Sequence, residues 1–147
     1  MKEVVLAMAM FFYAISMVGL SGNDCSAAAT SDAAWQQLPA EKKKITINND
    51  YYFIYRFDKK PKLGMVVLKI QVFDAAGNQK TPFSIRGSYD MPEMRGAHAS
   101  GERKFVLNRK GDYLLPVQIV MPGEWEINMT FADENKAVFR GRIKINV

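Results

Sequence analysis

The stretch Glu124-Trp125-Glu126-Ile127-Asn128-Met129-Thr130-Phe131, followed by Asp133-Glu134-Asn135-Lys136 and then Phe139-Arg140-Gly141-Arg142-Ile143-Lys144-Ile145-Asn146-Val147, decides the fold class. Trp125, Ile127, Met129 and Phe131 share one parity; Glu124, Glu126, Asn128 and Thr130 share the other. The second run repeats the pattern, with Phe139, Gly141, Ile143, Ile145 and Val147 set against Arg140, Arg142, Lys144 and Asn146. Successive side chains of a strand point to opposite faces, so each run reads as a strand with one face buried and one in water. Asp133 to Lys136 closes the hairpin between them, and Met121-Pro122-Gly123 is the tight turn before it.

Working outward toward the N-terminus, the same period recurs. Tyr51, Phe53, Tyr55 and Phe57 form one stripe, Val66, Leu68, Ile70 and Val72 a second, and Phe83, Ile85, Gly87 and Tyr89 a third. Phe105 and Leu107 mark a short strand, and Tyr113, Leu115, Val117, Ile119 and Met121 another. Loops at Asp58–Gly64, Ala75–Asn78 and Arg109–Asp112 punctuate them. The count is seven strands over residues 49–147, with no amphipathic helix. Seven short alternating strands in about 100 residues predict an all-β, immunoglobulin-like β-sandwich. Trp125 is the expected centre of its core, by bulk. Tyr113, at the start of a late strand, is expected to bond its hydroxyl to a backbone group, as a tyrosine corner does.

The inventory excludes many functions. The chain has 147 residues, with 20 Lys+Arg against 15 Asp+Glu, one His and one Cys. A single Cys rules out an intramolecular disulfide framework and paired-Cys zinc sites. No Gly-rich phosphate loop, nucleophile elbow or HExxH motif is present, so the chain reads as a non-enzyme.

Residues 1–29 read as a targeting segment. Met1-Lys2-Glu3 precedes an apolar run from Val4 to Leu20, and Cys25-Ser26-Ala27-Ala28-Ala29 follows. These are the parts of a secretory signal peptide, with cleavage expected after Ala29. The run is also just long enough for a retained N-terminal helix anchoring the chain in the membrane. Either way the remainder is placed outside the cytoplasm, in the periplasm or secreted, where nucleic acid is not a partner. Thr30 to Asn48 reads as a linker, basic at Lys42-Lys43-Lys44, with at most a helical turn near Trp35.

One segment breaks the alternation. Tyr89 to Gly101 carries Met91, Met94 and the only His, His98, in a Pro- and Gly-containing loop. Thioether and imidazole ligands suit copper(I). The competing reading, commoner on composition, tucks a methionine under the rim of the sandwich as packing. Met121 ends its strand at a turn that could meet this loop; it equally ends a core stripe. Asp90 and Glu93 read as solvated loop charges.

The order Met91-Pro92-x-Met94, His98, Gly111-x-Tyr113 and Met121-x-Gly123-x-Trp125, with Pro61-x-x-Gly64 ahead of an apolar strand, resembles the YtkA-like and FixH-like group of extracytoplasmic domains. That group is similar in fold to copper-resistance proteins of the CopC type. The resemblance implies a role in copper handling or copper-oxidase assembly, with proteins of those processes as partners. It implies Met91, Met94, His98 and Met121 as metal ligands and copper(I) as the cofactor. A single His departs from the CopC-type copper(II) pattern. The alternative is a non-metal interaction or structural module, in which the outward stripe Arg140, Arg142 and Lys144 faces an acidic partner or plain solvent.

Overall fold

The computed structural model describes residues 33–147. The signal peptide or anchor of residues 1–29, its hydrophobic helix, cleavage after Ala29 and the first residues of the linker lie outside the described residues.

Each stripe read from the sequence falls on a strand, except that Phe83, Phe105, Met121 and Val147 lie just outside the strand ends. The strands are β1 (Trp35–Gln37), β2 (Ile45–Thr46), β3 (Tyr51–Phe57), β4 (Gly64–Asp74), β5 (Gln79–Lys80), β6 (Ser84–Asp90), β7 (Arg103–Lys104), β8 (Val106–Leu107), β9 (Tyr113–Ile119), β10 (Glu124–Asp133) and β11 (Lys136–Asn146). A single 3-10 turn, Pro92–Met94, sits in the loop between β6 and β7. The first sheet runs β1-β11-β10-β6-β7. The second runs β2-β3-β4-β9-β8, with β5 paired to β4.

The two sheets face one another across one core. Phe53 on β3 meets Phe131 on β10 with ring centroids 4.7 Å apart, and Phe131 also packs edge-on to Phe139. Trp125 is fully buried, as its parity requires, and its indole N–H donates to the Met121 carbonyl at 3.1 Å. That bond removes the cost of burying an unpaired N–H. The Tyr113 hydroxyl donates to the Phe83 carbonyl at 2.8 Å. Tyr113 opens β9 of the second sheet and Phe83 leads into β6 of the first, so this bond ties the sheets together.

Two expectations change. There are eleven strands among the described residues rather than seven, because β1, β2, β5 and β7 have two or three residues each, too few to show a period. The linker reading of residues 30–48 gives way at Trp35. Residues Trp35–Gln37 form a strand, not a helical turn, and pair in parallel with β11. Leu38 is buried against the face of Gly141, where an added Cβ would come within 3.0 Å of both Leu38 methyl carbons. The Tyr55 hydroxyl donates to the Pro39 carbonyl, which holds the same segment down.

On the second sheet, the turn before β9 is organised by Asp112, which is 1% exposed. Its carboxylate lies 2.6 Å from Lys69 Nζ and accepts hydrogen bonds from Gln71 (2.7 Å) and Asn108 (2.9 Å). Burial alone would push this carboxyl up. The bonds from Lys69, Asn108, Gln71 and Gln79 outweigh it and hold the pKa at about 2.

Candidate functional site: a polar groove and a methionine loop

The methionine loop is built by Asp90. Its two carboxylate oxygens accept the backbone N–H groups of Met91 (2.8 Å) and Gly96 (2.9 Å), folding the chain back on itself. Asp90 is therefore a half-buried loop clasp, not the solvated charge expected, while Glu93 is exposed as read. Ser100 closes the loop by accepting from the Tyr89 N–H at 2.9 Å.

The four expected ligands occupy different surroundings. Met91 is 3% exposed and belongs to the core. Its methyl carbon lies 2.9 Å from where a Cβ on Gly123 would be, so this close approach depends on glycine. Met94 is 43% exposed. His98 is half-buried, its ring centroid 6.3 Å from that of Trp125. Met121 is half-buried against the core. The loop and the Met121–Gly123 turn thus meet at one end of the molecule through Met91 and Gly123. Among the described residues, no group of three or more His, Cys, Asp or Glu side chains is placed to hold a metal ion.

A second feature lies on the outer face of the first sheet. Register sets its floor: Thr130 stands between Arg140 and Arg86, Asn128 between Arg142 and Ser88, and Glu126 between Lys144 and Asp90. These residues all have outward parity. Short side chains in the middle and long ones at the sides leave a groove of ≈ 600 Å³, walled by Trp35 on one side and by Arg95, Ala99, Gly101 and Glu102 on the other.

Glu126 is the electrostatic centre of this face. It is only 4% exposed although its parity points outward. Its carboxylate lies 3.3 Å from Arg142 Nε and 3.9 Å from Arg95 Nη2, and it accepts from the Asn128 amide at 3.2 Å. Arg142 Nε also donates to the Asn128 side-chain Oδ1 at 3.1 Å. One carboxylate therefore sits against the Arg142 guanidinium and a floor amide, with the more exposed Arg95 guanidinium at the outer edge of ion-pair range. The guanidinium carbons of Arg140 and Arg142 each lie 5.7 Å from the Trp35 ring centroid, inside the range for cation–π attraction. Trp35 remains 45% exposed. Arg86 pairs with Glu102 at 3.0 Å, both well exposed.

As candidates for contact with a partner, the sequence pattern singles out only Arg140 and Arg142 of this groove, in a stripe with Lys144. Trp35 was hidden in the supposed linker, and Arg86, Ser88, Asn128 and Thr130 looked like ordinary solvent positions. The available signal was outward parity on β6, β10 and β11 together with their register.

No family model and no curated protein matches the chain. Among solved structures, it is similar to the crystal structure of a Br derivative of BhCBM56, with 11% identity and a TM-score of 0.44, covering 74% of this chain and 100% of that one.

Proposed function

We propose that this chain is an extracytoplasmic, immunoglobulin-like interaction module without catalytic chemistry, and that the groove on the first sheet is its working surface. The strand order supports the immunoglobulin-like description. With β3, β4, β6, β8, β9, β10 and β11 lettered A to G, the second sheet contains A-B-E-D and the first G-F-C, the arrangement of a seven-stranded immunoglobulin domain.

One observation carries the functional reading: a nearly buried carboxylate on an outward-facing position, paired with Arg142 and flanked by Arg95. A solvated sheet face needs no such group, and desolvating a charge costs free energy unless partners offset it. Here that cost fixes cationic groups around a groove. The titratable groups of that groove are engaged in positioning, with Asp90 on backbone N–H groups and Glu126 on arginines, which suits binding better than proton transfer.

The test is a titration of the ¹⁵N-labelled full-length chain, in mild detergent, with sulfate as a small anionic probe. The expected result is shifts centred on the arginine Nε–H groups of the groove and on the Trp35 indole. Shifts scattered over the surface without that focus would refute the reading.

Copper(I) handling, with the YtkA-like and FixH-like resemblance behind it, is the second reading. The meeting of the Met91 loop with the Met121–Gly123 turn favours it. Its donors are soft, as that ion requires. Met94 and His98 are the ligands to remove, since Met91 also packs the core. Competition for copper(I) against a chromophoric chelator should weaken in the Met94→Ala, His98→Ala double variant, and equal competition by both proteins would end this reading.

A further inference from the structure

We infer that the occupant of the groove is an acidic polysaccharide, an inference that rests on the groove being the working surface. The groove runs across the face of a sheet. Its floor strands β6, β10 and β11 pair their backbone groups with one another, so a guest meets side chains only. A peptide that binds by adding a strand needs an open sheet edge, which this face does not offer. The side chains presented are Ser88 and Thr130 hydroxyls and the Asn128 amide along the floor. Such groups donate and accept hydrogen bonds together, as the hydroxyls of a sugar do.

The wall supplies the second requirement of a sugar ring. Trp35 is a flat apolar surface, 45% exposed, with the guanidinium groups of Arg140 and Arg142 over its ring, so a sugar would pack on the part of the ring they leave open. The negative face of an aromatic ring attracts the weakly positive C–H face of a pyranose.

The charge of the site selects an acidic sugar over a neutral one. Two of the acids lining the groove are turned to other work: Asp90 accepts backbone N–H groups, and Glu126 is nearly buried under its arginines. The third, Glu102, pairs with Arg86 where both are open to water, and such exposed pairs are weak enough for an incoming anion to replace. Four arginines, Arg86, Arg95, Arg140 and Arg142, line the groove against these three acids, so it keeps a net positive charge, and the planar fork of a guanidinium matches a carboxylate or sulfate. The ≈ 600 Å³ of the groove lies within the size range of ligand sites.

The full-length chain in mild detergent is titrated with polygalacturonate, a neutral glucan and poly-L-glutamate, each at low and at physiological salt. Polygalacturonate should bind, and binding should weaken with salt. Trp35→Ala and Arg86→Gln should each weaken it about tenfold, as truncating an aromatic or Arg anchor does, with near-ultraviolet circular dichroism unchanged. Groove-dependent binding of poly-L-glutamate but not polygalacturonate would overturn the polysaccharide while leaving the groove in place. Equal binding of the neutral glucan would overturn the role of charge. Polygalacturonate binding insensitive to both variants, or no polymer binding at all, would overturn the inference, and the sulfate titration decides separately whether the groove is a site.

Discussion

Replacing Asp112 with asparagine should destabilise the protein in a manner that depends on pH. In the folded chain Asp112 titrates near 2 against an ordinary value of 3.8. A carboxyl whose pKa is lower folded than unfolded stabilises the fold fully above its unfolded value. That contribution fades as pH falls through the folded value. The difference of 3.8 − 2 corresponds to about 2 kcal/mol at neutral pH, as an upper figure, since water at the rim of the cluster weakens it. The Asp112→Asn change would add a further, pH-independent loss, because the new amide N–H₂ would face the donors of Lys69, Asn108, Gln71 or Gln79. Urea unfolding of both proteins from pH 7 to pH 2 separates the two parts. The stability gap should be constant down to about pH 4 and should narrow by up to about 2 kcal/mol toward pH 2. A gap that stays constant to pH 2 would refute the claim that the ionised carboxylate, rather than the shape of the side chain, organises this turn.

Three other outcomes are expected. Gly87→Ala should cost about 1–3 kcal/mol in urea unfolding, because its Cβ would stand 2.8 Å from a Phe105 ring carbon and 3.1 Å from the Asn128 carbonyl oxygen, which is backbone and cannot move aside. Met91→Ala should cost about 2–5 kcal/mol as a core truncation, and Met94→Ala, at an exposed position, less than about 0.5 kcal/mol; equal effects would contradict their different burial. Tyr113→Phe leaves the Phe83 carbonyl without its 2.8 Å donor and should lower stability by about 1 kcal/mol, read as a fall in melting temperature.

The all-β class and the identity of the core were legible because burial of one sheet face imposes a period of two on every long strand. Phe53, Leu68, Ile85, Leu115, Trp125 and Phe131 are all buried, and all were on the inward parity. Strands of two or three residues carry no period, so β1, β2, β5 and β7 left no such signal. The linker reading failed for a related reason. Lys42-Lys43-Lys44 gives residues 30–48 a solvated composition, yet one apolar residue, Leu38, finds the flat spot at Gly141 and docks the chain beside β11. The methionines show the limit of composition. Met91 and Met94 are three residues apart in one loop and differ in exposure from 3% to 43%, because only Met91 lies opposite a glycine able to receive it.

The groove was illegible for a deeper reason. Alternation reports which side chains face outward, and outward is ordinarily taken to mean solvated. Glu124 and Glu126 have the same parity on the same strand. Glu124 pairs with Lys144 near the strand end and keeps its side chain 43% exposed. Two residues along, Glu126 is almost closed off, because β10 is the middle strand of its sheet and long side chains reach over it from both sides: Arg142 from β11 and Arg95 from the loop after β6. That difference is created by neighbours 16 residues ahead and 31 behind, so no window of local sequence contains it. The groove takes shape where register brings long cationic side chains around short polar ones, and register is a property of strand pairs. The same arrangement makes the groove sensitive to pairing: an Arg142→Gln change should leave the Glu126 carboxylate short of its nearest cation and disturb the groove through Glu126, which a charge on a plain solvated face could not do.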